Sequence, residues 1–182
     1  MHISVISDTH GTLDSRALAA LEGSDLILHA GDIGGPFILE ELETIAPVVA
    51  VLGNCDWAEY GPEVNTSWSS TLEGVRIFMS HIPQDAGVPC DKRYPAAGER
   101  GGVLAKVYAR AHWNWERDLH DILLPHLVIH GHTHVPRRET VNGITVLNPG
   151  SASRPKGGVK GPSVACFDAQ DGVLENVRIV YI

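Results

Sequence analysis

The chain has 182 residues, of which 43% are hydrophobic and 20% charged, enough for one domain with a buried core and too few for two of ordinary size. Its 19 glycines and 11 prolines stay below the share typical of low-complexity chains, so it should fold, with many tight turns. Fourteen basic against 22 acidic residues leave a formal charge of −8, and no basic run outgrows a pair such as Arg137-Arg138. This argues against a surface that tracks a nucleic-acid polymer, while a phosphate substrate could still be held through a cation.

The start, Met1 to Ile6, has no basic flank and no long apolar stretch, so a cytoplasmic protein without a signal peptide is expected. Ile3 to Ile6 reads as a strand running into Ser7-Asp8. A helix carrying Leu18 and Leu21 follows, with Asp14 or Ser15 as cap and Gly23 as stop. Leu26 to Leu28 is a strand ending in His29-Ala30-Gly31-Asp32. A second helix begins at Pro36, carries Ile38, Leu42 and Ile45, and ends before Pro47; Val48 to Leu52 then runs into Gly53-Asn54. Pro47 breaks the longest apolar run, Ile45 to Leu52, which is far too short to cross a membrane, so no membrane partner is expected. Strand, helix, strand, helix, strand is the pattern of a parallel sheet, whose ligands gather at the carboxyl ends of its strands.

Further on, Val75 to Met79 is a strand ending at Ser80-His81, and Leu127 to Ile129 one ending at His130-Gly131-His132. Arg138 to Val141, Ile144 to Leu147, Val164 to Phe167 and Val177 to Tyr181 read as short strands, with turns at Asn142-Gly143 and Asp171-Gly172. A second, largely antiparallel sheet packed on the first is the simplest arrangement. Between His81 and Leu127, Gln84 to Gly102 is loop-like. Leu104, Tyr108, Ala111, Trp115, Leu119 and Ile122 then recur at helical spacing and must stop before Pro125. With no repeat and no linker, 1–182 reads as one domain with a loop-helix insertion at about 84–124. The cysteines Cys55, Cys90 and Cys166 are odd in number and lack close metal-ligand spacing, so neither a disulfide framework nor a zinc knuckle is expected.

The chemistry lies in the polar breaks after strands: Asp8-Thr9-His10, Gly31-Asp32, Gly53-Asn54-Cys55-Asp56, Ser80-His81 and Gly131-His132-Thr133-His134. Each alone reads as a cap, a turn or a hydrogen-bonded imidazole. Together, two carboxylates, one amide oxygen and four imidazoles at one sheet edge can hold two divalent metals, with one carboxylate shared. Such a nitrogen and oxygen set suits Mn, Fe, Co, Ni or Zn better than Mg or Ca.

These ordered motifs, with Asn148-Pro149-Gly150-Ser151 after them, resemble those of the calcineurin-like metallophosphoesterase superfamily from Met1 to about Ser153. The nearest resemblance is to the small bacterial and archaeal phosphodiesterases related to the retromer metallophosphoesterase-fold subunit. It implies an α/β fold, a sandwich of two mixed β-sheets flanked by helices. It also implies one metal on Asp8, His10, Asp32 and His134 and a second on Asp32, Asn54, His81 and His132, with manganese the first expectation. The implied reaction is in-line attack of a metal-bridging hydroxide on phosphorus, with Asn54 also donating its amide to the phosphate.

Cys55 stands where many members carry a histidine, a change that goes with a lean towards diesters; a space-filling role for this thiol is at least as good a reading. The connection from His81 to His132 is longer than in the family's small members. It reads as a covering helix and dimer surface rather than a lid, which would make the chain a homo-oligomer. Trp113 and Trp115 could stack on a base, though core packing is the commoner use of such spacing. His29 and His130 read as packing residues, while His2, His112, His120 and His126 carry no spacing argument. A small phosphoester substrate is expected. The alternatives are a phosphomonoesterase or nucleotide pyrophosphatase on the same site, or a non-catalytic scaffold.

Overall fold

The computed structural model describes residues 1–57, 60–83 and 124–182. The expected helix from Leu104 to Ile122, Trp113 and Trp115 within it, and nearly all of the 84–124 insertion lie outside the described residues.

The first strands follow the sequence pattern closely. β1 (His2–Ile6), β2 (Leu26–His29) and β3 (Val48–Ala50) alternate with α1 (Ser15–Leu21) and α2 (Pro36–Glu43). Asp14 caps α1 by accepting the Arg16 N–H. Pro36 occupies the first turn of α2, where its missing N–H costs nothing. β1 pairs parallel with β2, and β2 parallel with β3.

The remaining strands are β4 (Ser67–Leu72), β5 (Val75–Ser80), β6 (Leu127–Ile129), β7 (Arg137–Val141), β8 (Ile144–Asn148), β9 (Ser163–Gln170) and β10 (Val173–Tyr181). They complete two mixed five-stranded sheets, ordered β10-β9-β1-β2-β3 and β4-β5-β6-β8-β7.

Three expectations are corrected. The second sheet is not largely antiparallel, because β5, β6 and β8 run parallel at its centre. The two strands at the end of the chain leave that sheet and join the first, with β9 antiparallel to β1. Burial explains the exchange: Ala165, Phe167 and Ala169 of β9 face the same core as Ile3 and Val5 of β1. Finally, β4 is a strand that the sequence pattern missed. Only Trp68 and Leu72 along it are apolar packing residues. The Glu73-Gly74 turn joining it to β5 has φ of 47° and 79°, the same type as Asn142-Gly143 (51°, 82°) and Asp171-Gly172 (50°, 81°). Glutamate in its first position hides it from a search for Asn-Gly or Asp-Gly.

The core lies between the sheets, where Val5, Leu28, Ile77, Met79, Ile129 and Phe167 meet. The first sheet's other face, with Ile6, Ile27 and Val164, buries Leu21 of α1 and Ile38 and Leu42 of α2. With both faces covered, β1 and β2 are nearly continuous apolar runs, interrupted in β1 by the buried Ser4. The parallel strands of both sheets therefore end together on one edge of the sandwich.

Candidate metal centre

Each motif leaves its strand at that edge. The loop after β1 continues as a ladder along the loop after β2, with Asp8 N–H on the Gly31 carbonyl (3.0 Å), His10 N–H on Asp32 (2.9 Å) and Gly11 N–H on Ile33 (2.8 Å). The second sheet joins through Gly131 N–H on the His81 carbonyl (3.0 Å), and the two sheets are stitched by His132 N–H on Asp8 Oδ2 (3.2 Å).

The backbone is bent to turn these side chains inwards. Asp8 (φ 54°), His10 (46°), Asp32 (54°), His132 (69°) and His134 (59°) all occupy the left-handed region. Non-glycine residues rarely stay there, at a cost of about 1–3 kcal/mol each, and they concentrate where function holds them.

Ligand-capable atoms of Asp8, His10, Asp32 and His134 lie within 4.8 Å of one another, a group that could hold a metal ion. His134 Nε2 is 3.2 Å from Asp8 Oδ1, and His10 Nε2 is 3.3 Å from His134 Nε2 and 3.7 Å from Asp32 Oδ2. On the other side of Asp32, His81 Nε2 is 3.4 Å from Asp32 Oδ1. The His81 and His132 rings meet edge to face at 5.3 Å, and His132 Nδ1 is 2.7 Å from Asn54 Oδ1. All seven residues singled out in the sequence thus come together, with Asp32 between two groups of neighbours.

The far ring atoms fix which nitrogen is free. His81 Nδ1 donates to the Ala30 carbonyl (2.7 Å) and His134 Nδ1 to the Arg154 carbonyl (2.5 Å), which aims each Nε2 into the centre. Among the described residues three buried side-chain atoms lack a hydrogen-bond partner, Asp8 Oδ1, His81 Nε2 and His130 Nε2, and the first two belong to the cluster around Asp32. Unsatisfied buried acceptors are costly, and a cation among them removes that cost. The donor set and these two orphaned atoms fit a divalent metal.

Electrostatics agree with that reading. Burial pushes the Asp8 carboxyl up to about 6, with Asp32 adding to the effect and His81 and the Ser7 hydroxyl opposing it. Burial would also raise Asp32, but His81 and the Cys55 N–H hold it well below the ordinary carboxylate range. Burial lowers His10, His132 and His134, keeping their rings neutral. For His81 burial again favours the neutral ring, and Asp32 and Asp8 outweigh it to raise the pKa. Cys55 is exposed, receives Asn54 Nδ2–H at 3.3 Å, and is pushed up by partial desolvation and by Asp32.

Several side chains that the sequence marked as packing or hallmark residues prove to be fasteners. His29 is fully buried; its Nδ1 accepts the Gly31 N–H (3.2 Å) and its Nε2 meets Thr9 Oγ1 (2.9 Å). Asn148 donates to the Gly131 carbonyl (2.9 Å) and Thr133 Oγ1 (3.0 Å), holding the loop of His132 and His134. Ser151 donates to the Asp8 carbonyl and Ser153 to that of Thr9, both at 2.8 Å. Ser153 carried no such reading in the sequence, because a short polar residue there looks like ordinary loop, and Asp56, whose contacts with the Asp32 loop are described below, stood in the Gly53-Asn54-Cys55-Asp56 motif without a fastening role.

A mixed-sheet sandwich with this donor set at its parallel strand ends defines a metal-binding phosphoesterase architecture. The chain belongs to the calcineurin-like phosphoesterase superfamily, whose domain profile matches residues 1–172. It is 34% identical over 161 residues to a Methanothermobacter thermautotrophicus protein described as "probable metallophosphoesterase", covering 86% of this chain and 80% of that one. It is 24% identical over 186 residues to a phosphodiesterase of Methanocaldococcus jannaschii, covering 93% and 94%. The solved structure of Entamoeba histolytica Vps29 complexed with zinc shares the fold, with a TM-score of 0.66 at 21% identity over 100% of this chain and 98% of that one. Among the described residues no helix is long and apolar enough to cross a membrane.

Proposed function

We propose that this chain hydrolyses small phosphodiesters with two divalent metals, manganese first among them. One metal would be held by Asp8, His10, Asp32 and His134 and the other by Asp32, Asn54, His81 and His132. The observation that carries this reading is the pair of orphaned buried atoms, Asp8 Oδ1 and His81 Nε2, on opposite sides of Asp32. Two such metals would supply a water nucleophile at neutral pH and charge stabilisation at phosphorus.

The protein's own residues do the rest. Asn54 turns its oxygen towards His132 and its exposed amide N–H towards Cys55, where a phosphate oxygen could take that hydrogen bond. His10, His132 and His134, kept neutral by burial, present lone pairs without first giving up a proton. Residue 55 offers a thiol whose raised pKa makes it a weak acid towards a departing alkoxide. That favours diesters with good leaving groups over monoesters. The acidic chain offers little to grip a polymer, which favours a small substrate.

The test is activity of metal-stripped protein reconstituted with Mn²⁺, on matched aryl phosphodiester and phosphomonoester substrates. A kcat/KM higher on the diester is expected. A higher value on the monoester, or on a nucleotide pyrophosphate, overturns the diester preference. No turnover of any of them with two metals bound would make the domain a scaffold.

A further inference from the structure

Asp32 and Asn54, both assigned to the second metal, sit on different loops, and among the described residues nothing in the sheet itself ties those two loops together. The ladder between β2 and β3 runs as far as Val51 N–H on the His29 carbonyl (3.0 Å). Beyond it, Asp32 leaves on one loop and Asn54 on the other. Asn54 is exposed on a loop after a three-residue strand, so its carbonyl oxygen needs an anchor to stay beside His132.

Asp56 supplies one. Its Oδ1 accepts from Ile33 N–H (2.9 Å), Gly34 N–H (3.1 Å) and the Tyr60 hydroxyl (3.1 Å). Its Oδ2 accepts from Gly53 N–H (2.8 Å) and again from Ile33 (3.1 Å). One carboxylate thus gathers the two amides that follow Asp32 and the amide that precedes Asn54. Between these anchors, Cys55 N–H donates to Asp32 Oδ1 at 2.8 Å. Among the described residues every hydrogen-bond partner of Asp56 is a donor, so only an acceptor on both oxygens satisfies them. An asparagine of the same size must turn its NH₂ against at least one backbone N–H.

We propose that Asp56 is a positioning residue that locks the Asn54 loop onto the Asp32 loop and thereby creates the second metal site. Without its carboxylate the chain holds one metal instead of two. The inference rests on the two-metal reading of the centre. Asp56 touches neither metal nor substrate; it acts through Asn54. The other metal's ligands Asp8, His10 and His134 are fastened separately, through Ser151, Ser153 and the Arg154 carbonyl, and keep their place.

The experiment titrates metal-free wild type, Asp56→Asn and Asp56→Ala with Mn²⁺. Calorimetry counts the ions, electron paramagnetic resonance reads whether they are coupled, and melting of the metal-free proteins checks the fold. Wild type should bind two ions with an exchange-coupled spectrum. Asp56→Asn should keep the first ion near wild-type affinity and bind the second about 10–100-fold more weakly, the usual cost of losing a partner that orients a ligand. Its spectrum at one equivalent should be that of an isolated ion. Asp56→Ala should do the same or more. Two ions at wild-type affinity in Asp56→Asn overturn the proposal. So does parallel weakening of both sites with a lowered melting temperature, which marks a general structural role, or failure of both variants to fold. A wild type that binds a single ion instead overturns the two-metal reading itself.

Discussion

Replacing Gly31 by alanine tests the centre without substituting any metal-ligand candidate. Gly31 has φ of +89°, and a Cβ built on it lies 2.7 Å from both Cβ and Nδ1 of His81 and 2.8 Å from Cγ. His81 is only 1% exposed, so its ring has little room to retreat. Restoring ordinary contact requires a shift of about 1 Å. It also breaks the 2.7 Å bond from Nδ1 to the Ala30 carbonyl that aims Nε2. The left-handed backbone costs an alanine about 1–2 kcal/mol, and the lost hydrogen bond about 0.5–1.5 kcal/mol. A loss of about 2–3 kcal/mol in stability follows, small enough for the fold to survive. A misplacement of about 1 Å at a reacting centre costs about 100-fold in rate. The assay is kcat/KM on an activated phosphodiester at saturating Mn²⁺, beside urea unfolding of the metal-free protein. Wild-type turnover and metal affinity in a Gly31→Ala protein that shows the expected stability loss would refute the placement of His81 at the metal.

Two further outcomes are expected. Asp32→Asn should lower diesterase kcat/KM by about 1000-fold, since it weakens both metal sites and their charge stabilisation, whereas Cys55→Ala should cost less than about tenfold, the effect of a weak proton donor; equal losses in folded, metal-loaded proteins would contradict this ranking. Burial holds the His29 ring down at about 3, against an ordinary value of 6.5. Between those values the unfolded chain binds the extra proton, so stability falls as the pH drops from 6.5 towards 3. His29→Gln should therefore flatten the pH dependence of metal-free stability by up to about 1.4 kcal/mol per pH unit in that window, and denaturant unfolding at pH 7 and pH 5 with an unchanged slope would count against it. Asp8, raised to about 6, works in the opposite direction in both proteins and drops out of the comparison.

The sequence by itself determined the local chemistry. The mostly apolar runs of β1 and β2, the cap at Asp14 and the helix start at Pro36 are written in short stretches. So are the turns at Asn142-Gly143 and Asp171-Gly172, because each depends on a few neighbouring residues. The seven candidate ligands were legible for the same reason: each follows a strand, and parallel strands deliver their ends to one edge. Tertiary structure decided what depends on distant partners. β9 and β10 joined the first sheet because Phe167 finds its burial beside Ile3 and Val5, a contact no local pattern encodes. β4 became a strand by pairing along β5, although its own alternation is weakened by serines. Asp56, though part of a motif, and Ser153 show no fastening role until the fold sets their oxygens against the amides and carbonyls of the Asp32 and Asp8 loops. The left-handed backbone at Asp8, His10, Asp32, His132 and His134 belongs here too. It is unfavourable locally, and only bonds from other parts of the chain hold it in place.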